Sequence, residues 1–311
     1  MVASCARSTK AFLDFGIQRY EFNQTKLNPQ QRYLQYLASH GNRCVKGSEN
    51  IVDLNRCIYL ASIQNDINLL KYFIGQRRIK YFETLNNSLF EAVKNNNKEL
   101  TMTLLFEGKR LARVADKLSK AINISASEGY LELTEYLFNL EKWQQDSINE
   151  FLSAAAESGN QQLVDFFIKR GANDLNSALV HAASNGKIEM INYLIAKGSV
   201  LCATATDLRD AFDNANLNEQ LDVVIYIISN RNKIKTQYPS VQLPEFNDFK
   251  ISFEDAVRYG YLELAKYLLS FLYHLNRINP LIPLPTKEYL ESAIKVAGSQ
   301  EVIKYLQSII E

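Results

Sequence analysis

The sequence predicts an all-α protein built from stacked helix-turn-helix units, and three observations support this fold class. The chain has 311 residues, of which 47% are hydrophobic and 22% charged, as in ordinary ordered proteins. A pattern of small, apolar and turn-forming residues recurs about every thirty residues. Within each unit, apolar residues lie three or four places apart, which is typical of amphipathic helices. Because one such unit cannot bury its apolar face alone, the pattern predicts a linear stack of hairpins.

The clearest unit occupies residues 175–198. Leu175, Leu179 and Ala182 lie on one face of a short first helix. Gly186 is expected to stop this helix, because glycine readily adopts the left-handed conformation of a helix end. A more apolar stretch then predicts a second helix, which Gly198 is expected to end.

The same offsets recur when eight units are aligned on their turn residue, which is Asn65, Asn96, Gly129, Gly159, Gly186, Glu219, Gly260 or Gly298. Four places earlier stands a small residue in seven of the eight units, as at Ala155, Ala182 and Ala256. An aliphatic residue or methionine follows four places later. In most units an aromatic residue comes seven places after the turn and a large apolar residue comes next, as at Tyr193 and Leu194. The recurring tyrosines predict packing on the second helix more than base stacking.

A family resemblance appears in these units. Residues 182–198 resemble the ankyrin stretch A-A-x-x-G-h-x-E-h-h-x-x-L-h-x-x-G, and residues 125–133 and 155–159 repeat parts of it. The turn-to-turn spacings of 27 to 41 residues bracket the ~33-residue ankyrin unit. The T-P-L-H of the family is absent, since residues 177–180 read Ser-Ala-Leu-Val. The resemblance covers roughly residues 50–310 and implies an all-α ankyrin-repeat solenoid of about eight units, with few or no β-hairpins.

The chain divides into four parts on this interpretation. Residues 1–49 form an N-terminal region with a degenerate capping repeat, and residues 50–228 form ankyrin repeats. Residues 229–250 are an insertion between two repeats. Residues 251–311 hold the C-terminal repeats, with a proline-rich segment at 276–287 and a cap. Both the insertion and the proline-rich segment are expected to loop out, and the Arg231–Lys235 cluster is expected to be solvated.

The resemblance implies a protein-binding groove on the exposed side of the first helices. Its lining is predicted one place before the small core residue, and one and two places before the turn residue. These positions vary between repeats while the core positions stay alike, which favours a partner-specific surface. The predicted groove residues are Glu91, Lys94, Asn95, Ser127, Glu128, Glu157, Ser158, His181, Ser184, Asn185, Asn214, Asn218, Asp255, Arg258 and Tyr259.

Composition excludes several other classes of partner. Lys plus Arg is 35 and Asp plus Glu is 34, so the basic excess typical of nucleic-acid-binding proteins is missing. No apolar run approaches the ~20 residues of a membrane-spanning helix. The start of the chain lacks a signal peptide and the four cysteines form no CxxC pair, which favours a reducing cytoplasm. A monomer without cofactor or metal is expected.

The sequence therefore predicts a non-catalytic scaffold that binds a partner protein. The degenerate repeats resemble those of large DNA viruses and intracellular bacterial effectors, which implies a host protein as partner and the host cytoplasm as location. The alternative is an effector with a thiol activity in the N-terminal region or the insertions, carried by Cys5 or Cys44. Nucleotide-binding and hydrolase motifs are absent, and His40, His181 and His274 have no metal-ligand spacing with the cysteines.

Overall fold

The computed structural model describes residues 82–111, 115–201, 207–283 and 285–311, together with five residues between 62 and 71. The predicted N-terminal cap, most of the first repeat around Asn65, His40 and the four cysteines lie outside the described residues. The chain divides between Arg113 and Val114 into two compact units. The first unit holds helices α1 and α2, and the second unit holds helices α3 to α14.

All regular structure in the described residues is helical, which confirms the predicted all-α fold. The first helices of the successive hairpins are α1 (Phe82–Lys94), α3 (Ala115–Ser127), α5 (Gln145–Ser158), α7 (Leu175–Ser184), α9 (Leu208–Leu217), α11 (Phe246–Tyr259) and α13 (Lys287–Lys295). The second helices are α2 (Lys98–Leu111), α4 (Leu131–Phe138), α6 (Gln161–Ile168), α8 (Ile188–Leu201), α10 (Leu221–Gln237), α12 (Leu262–Ile278) and α14 (Gln300–Ile310). Among the described residues, β pairing is limited to one isolated bridge, between Asp207 and Gln242.

The predicted turn residues connect the two helices of each hairpin. Gly129, Gly159, Gly186 and Gly260 have φ angles between +71° and +84°. This left-handed conformation lets the amide after the turn residue bond back to the first helix, as Lys187 does to the Ala182 carbonyl at 2.9 Å. The backbone geometry therefore explains why the sequence repeats a glycine at this place.

Small residues allow the first helices to stack closely. Within the second unit, each odd-numbered helix contacts the next one, from α3 through α13. The small residue four places before the turn lies at these contacts, and Ala155, Ala182, Ala215 and Ala256 are all fully buried. A larger side chain there would force neighbouring helices apart. The stack is the linear array of hairpins that the sequence predicts.

The recurring tyrosines join the second helices of neighbouring repeats. The Tyr226 hydroxyl donates a hydrogen bond to Asn192 of the preceding repeat. Tyr193 and Lys197 both bond to Asp165 of their preceding repeat, and the Lys197–Asp165 distance is 2.8 Å. Burial acts to raise the pKa of Asp165, but the bonds from Lys197 and Tyr193 outweigh it and hold that pKa below its ordinary value. The tyrosines are thus packing residues, as predicted.

Two expectations about local structure were wrong. Gly198 does not end the second helix of its repeat, because α8 continues to Leu201 and buries Gly198 inside it. Residues 229–250 do not loop out. Most of them lengthen α10 and start α11, leaving a connection of only residues 238–245.

The Arg231–Lys235 cluster accordingly lies on a helix and not in a loop. Its Lys235 ammonium donates to the carbonyls of Pro239 at 2.8 Å and Val241 at 3.1 Å, which ties the connection to the end of α10. In the proline-rich segment, residues 279–283 and 285–286 are non-helical. In the described part of the chain, no helix is long and apolar enough to span a bilayer.

Candidate functional site

A cleft of about 610 Å³ opens on the face formed by α3, α5 and α7. Three consecutive first helices supply its lining, and none of the second helices contributes. The lining side chains are Lys120, Asn123, Ile124, Ser127, Asp146, Asn149, Glu150, Ser153, Ala154, Glu157, Asp174, Ser177 and His181. The cleft is therefore a product of stacking, since no single repeat could form it.

The lining residues follow the helical period. Counted back from the turn glycine, the cleft takes the ninth residue from all three helices: Lys120, Glu150 and Ser177. It also takes the fifth residue from each helix, which is Ile124, Ala154 or His181. Because residues three or four apart lie on one face of a helix, these positions make one continuous stripe along each first helix.

Negative charge dominates the cleft. Four of its side chains are carboxylates, at Asp146, Glu150, Glu157 and Asp174, whereas Lys120 is the one lysine in the lining. His181 Nδ1 lies 3.8 Å from a Glu157 carboxylate oxygen, with both side chains partly exposed. Asp174 caps α7 by accepting from the Ser177 amide at 3.0 Å. A cleft with these carboxylates favours cationic or hydrogen-bond-donating groups.

Asn123, one of the residues that line the cleft, carries a buried acceptor without a donor. The side-chain oxygen of Asn123 is buried and accepts no hydrogen bond. Asn123 precedes Ile124 on α3, and both residues line the cleft. Buried carbonyl oxygens normally have a partner, so this oxygen marks a place where a ligand could supply one.

Three of the predicted groove residues, Ser127, Glu157 and His181, meet in this cleft. Glu128 and Ser158 lie beside the turns. Ser158 donates to the Ala155 carbonyl at 2.7 Å and accepts from the Asn160 amide at 3.1 Å. Its side chain also lies next to the Gly129 turn of the preceding repeat. Ser158 therefore helps to join two turns.

Other predicted groove residues bond back onto their own helix. Ser184 donates to the Val180 carbonyl at 2.9 Å and Asn185 to the His181 carbonyl at 3.0 Å. Asn214 and Asn218 do the same on α9, each bonding to a carbonyl four places earlier at 2.8 Å. Glu91, Lys94 and Asn95 lie on and just after α1 in the first compact unit. Each of these side chains is at least partly exposed.

The last three predicted residues lie at the end of α11. Arg258 donates to Asp255 at 2.9 Å. Tyr259 is 54% exposed and stacks on Tyr261 with ring centroids 5.8 Å apart. The Tyr261 hydroxyl donates to the Leu217 carbonyl of the preceding turn at 3.2 Å.

Acidic residues also gather where α9 faces α11. Burial, followed by the neighbouring carboxylates of Asp248, Asp210 and Asp255, raises the pKa of Asp213 to about 6. Asp207 behaves differently, since its bond with Arg209 holds the pKa of that carboxyl below its ordinary value. The negative potential is therefore present on two separate stretches of the stack.

Sequence reasoning did not select the N-terminal half of the cleft. It passed over Asn123, Asp146, Asn149, Glu150 and Asp174, because it followed the family pattern only near the turns. The helical period was the signal that could have identified these cleft residues. Extending the stripe backwards by three or four residues from Glu157 reaches Glu150 and Asp146.

The described residues contain no group of three or more histidine, cysteine, aspartate or glutamate side chains that could hold a metal ion. Cys5 and Cys44, on which the enzymatic alternative depends, lie outside those residues.

Comparison with known proteins agrees with the repeat geometry. Residues 152–238 match the family described as ankyrin repeats, in three copies. A stretch of 81 residues is 32% identical to an ankyrin repeat protein of Acanthamoeba polyphaga mimivirus. That stretch covers 25% of this chain and 13% of the viral protein. The helical hairpins, their left-handed turns and these matches together identify residues 152–238 as ankyrin repeats.

Proposed function

We propose that the chain is a non-catalytic scaffold that binds a partner protein through the groove side of its first helices. The cleft across α3, α5 and α7 carries this proposal, because three repeats combine to present one recessed surface with four carboxylates. Its volume lies within the ~300–1,000 Å³ range of ligand pockets, so it has room for several partner side chains.

Variation on a constant framework supports the same function. Four places before the turn, Ser125, Ala155, Ala182, Ala215 and Ala256 are fully buried and small. One place earlier, the cleft and its continuation present an isoleucine, an alanine, a histidine, an asparagine and an aspartate in turn. Packing therefore constrains one position, while the adjacent position is available to select a partner.

The cellular setting belongs to the same proposal. We place the protein in the cytoplasm as a monomer, without cofactor, metal or nucleic-acid ligand. The viral protein that it resembles is named for an Acanthamoeba virus, so an amoebal host protein is the partner to test first. The predicted groove residues of the second unit are part of the proposed surface, together with the cleft.

Site-specific photo-crosslinking tests the proposed surface. A benzophenone amino acid placed at His181 lies in the cleft, whereas the same group at Glu189 lies on the exposed side of α8. In Acanthamoeba polyphaga lysate, we expect a discrete adduct from position 181 and none from position 189. Glu157→Lys should weaken the 181 adduct, because a reversed charge in the cleft opposes a complementary partner.

Two controls separate binding from folding and from thiol chemistry. Glu189→Lys makes the same charge change outside the cleft and should leave the adduct at 181 intact. The double variant Cys5→Ala, Cys44→Ala should also leave it intact. Adducts of equal yield at positions 181 and 189 would contradict the groove proposal. An effect in cells that depends on the cysteines and not on Glu157 would support the thiol alternative.

A further inference from the structure

We propose that the α3–α5–α7 cleft binds an extended, basic segment of its protein partner and takes arginine or lysine side chains between Asp146, Glu150 and Asn123. This inference rests on the proposed function, because it names the chemistry of the partner that the groove selects. The four carboxylates of the cleft supply the charge, and the Asn123 oxygen supplies a buried acceptor.

The chain itself neutralises the acidic groups of the cleft only in part. Among the described residues, Asp146 and Glu150 make no ion pair. Glu157 faces His181, which adds charge only when protonated. A carboxylate accepts hydrogen bonds and donates none, so this lining complements a partner that carries several donors. A guanidinium supplies five N–H donors on a planar, permanently charged group.

The buried oxygen of Asn123 points to the same ligand by an independent route. An acceptor without a partner is costly when buried, and a donor from a bound side chain would remove that cost. A lysine ammonium or an arginine guanidinium in the cleft could serve the Asn123 oxygen and the carboxylates together. An anionic or purely apolar partner would leave both unsatisfied.

The charge of the cleft is local. The whole chain carries a formal net charge of +1, so the carboxylates at the cleft are not part of a generally acidic surface. Farther along the second unit, the groove-side basic residues Arg209 and Arg258 are already engaged by Asp207 and Asp255. Because both arginines are paired, they would repel a basic segment less than unpaired arginines would. An extended basic segment could therefore follow the stack from the cleft towards α9.

A defined peptide tests the proposal directly. The probe is a short fluorescein-labelled peptide of alternating arginine and serine, titrated with the full chain in a fluorescence anisotropy assay. We expect saturable binding that weakens as salt is raised, since the contacts are partly exposed charges. The same peptide with glutamate in place of arginine should not bind.

Matched variants locate the binding. Asp146→Lys with Glu150→Lys should lower the affinity for the arginine peptide at least about tenfold. The neutral pair Asp146→Asn with Glu150→Gln changes shape little and should lower it about three- to tenfold. Glu189→Lys with Asp222→Lys makes the same net-charge change on the second helices α8 and α10 and should leave the affinity within about twofold. Circular dichroism of each variant checks that the helices remain folded.

The outcomes separate this inference from the proposed function. Absence of saturable binding by the unmodified chain would overturn it, and so would equal losses from the cleft pair and the outer pair. If crosslinking at His181 still captures a partner in a Glu157-dependent way, the groove function stands while the basic-segment inference fails. If neither the adduct nor the peptide complex forms, both fail.

Discussion

A single backbone position shows how residue chemistry sets each hairpin. The turn between the paired helices needs a positive φ, which glycine adopts with little cost and other L-residues adopt only with strain. Four described repeats use glycine there, but Asn96 and Glu219 also occupy it, with φ angles of 51° and 56°. Asparagine tolerates this region better than most residues, whereas glutamate has no such advantage. The Glu219 turn therefore stores strain that its neighbours avoid.

Exchanging residue types at this position should change stability in opposite directions. Glu219→Gly should raise the free energy of unfolding by about 0.5–1 kcal/mol, because it relieves the left-handed backbone. Gly159→Ala should lower it by about 1 kcal/mol. A Cβ at Gly159 would meet only the flexible Lys187 side chain, at 3.4 Å, so the backbone is the main cost. Urea denaturation measures both. A destabilised Glu219→Gly variant would show that the Glu219 side chain contributes more than its backbone strain costs.

Asp213 shows how one carboxyl can couple stability to pH. Its pKa is raised to about 6 in the folded protein, by burial first and then by the surrounding carboxylates. An unfolded aspartate ionises near pH 4. Between about pH 4 and pH 6 the folded state holds a proton that the unfolded state has released, so stability falls as pH rises through this window. Above it the cost of ionising Asp213 is constant.

Asp213→Asn should remove this cost. We expect the variant to exceed the wild type in free energy of unfolding by about 1 kcal/mol at pH 7, after allowance for solvent screening of a partly exposed group. The difference should shrink as the pH is lowered from 6 to 4. Urea titrations at pH 4, 5, 6 and 7 measure it, with Asp222→Asn on the exposed side of α10 as the matched control. A difference that stays constant over this range would show that Asp213 ionises normally.

At the scale of helices, sequence reasoning predicted the hairpins but not every helix end. The turn residues, the small core residues and the buried apolar faces follow directly from period and residue type. The end of α8 could not be predicted in this way. A glycine such as Gly198 can stop a helix or be buried within it, and the sequence alone does not distinguish these two cases. Residues 229–250 misled for a similar reason. The polar residues and two prolines of this segment are typical of a loop, yet most of the segment extends α10 or begins α11.

The candidate site was predicted only in part, for a geometric reason. The family pattern defines the groove by distance from the turn, and this rule reaches Glu157 and His181. The start of each first helix also faces the cleft, since the helical period carries the same stripe back to Glu150 and Asp146. The partnerless oxygen of Asn123 could not be predicted at all, because it depends on which neighbours approach it.

For the second unit as a whole, linear stacking determines how stability is distributed. Each central hairpin contacts a neighbour on both sides, whereas α13 and α14, the last hairpin of the described residues, make their main contacts outside the hairpin with α11 and α12. In arrays of this kind, stability is approximately a sum of each repeat and its interfaces with its neighbours. The terminal hairpin therefore has fewer interfaces to lose, and it should open at a lower free energy than the centre of the stack.

Hydrogen exchange should reveal this gradient, and two cavity variants can locate it. Leu306 on α14 and Leu163 on α6 are both fully buried, so truncating either to alanine should remove about 2–5 kcal/mol of local packing. Leu306→Ala should speed amide exchange in residues 287–311 and leave α5 and α6 unchanged, because the last hairpin can open alone. Leu163→Ala should speed exchange in α5 and α6 and in the adjoining hairpins, since they lose an interface. Mass spectrometry of exchanged peptides measures both patterns. If Leu306→Ala accelerated exchange evenly from α3 to α14, the second unit would unfold as one cooperative body, and nearest-neighbour stacking would not describe its energetics.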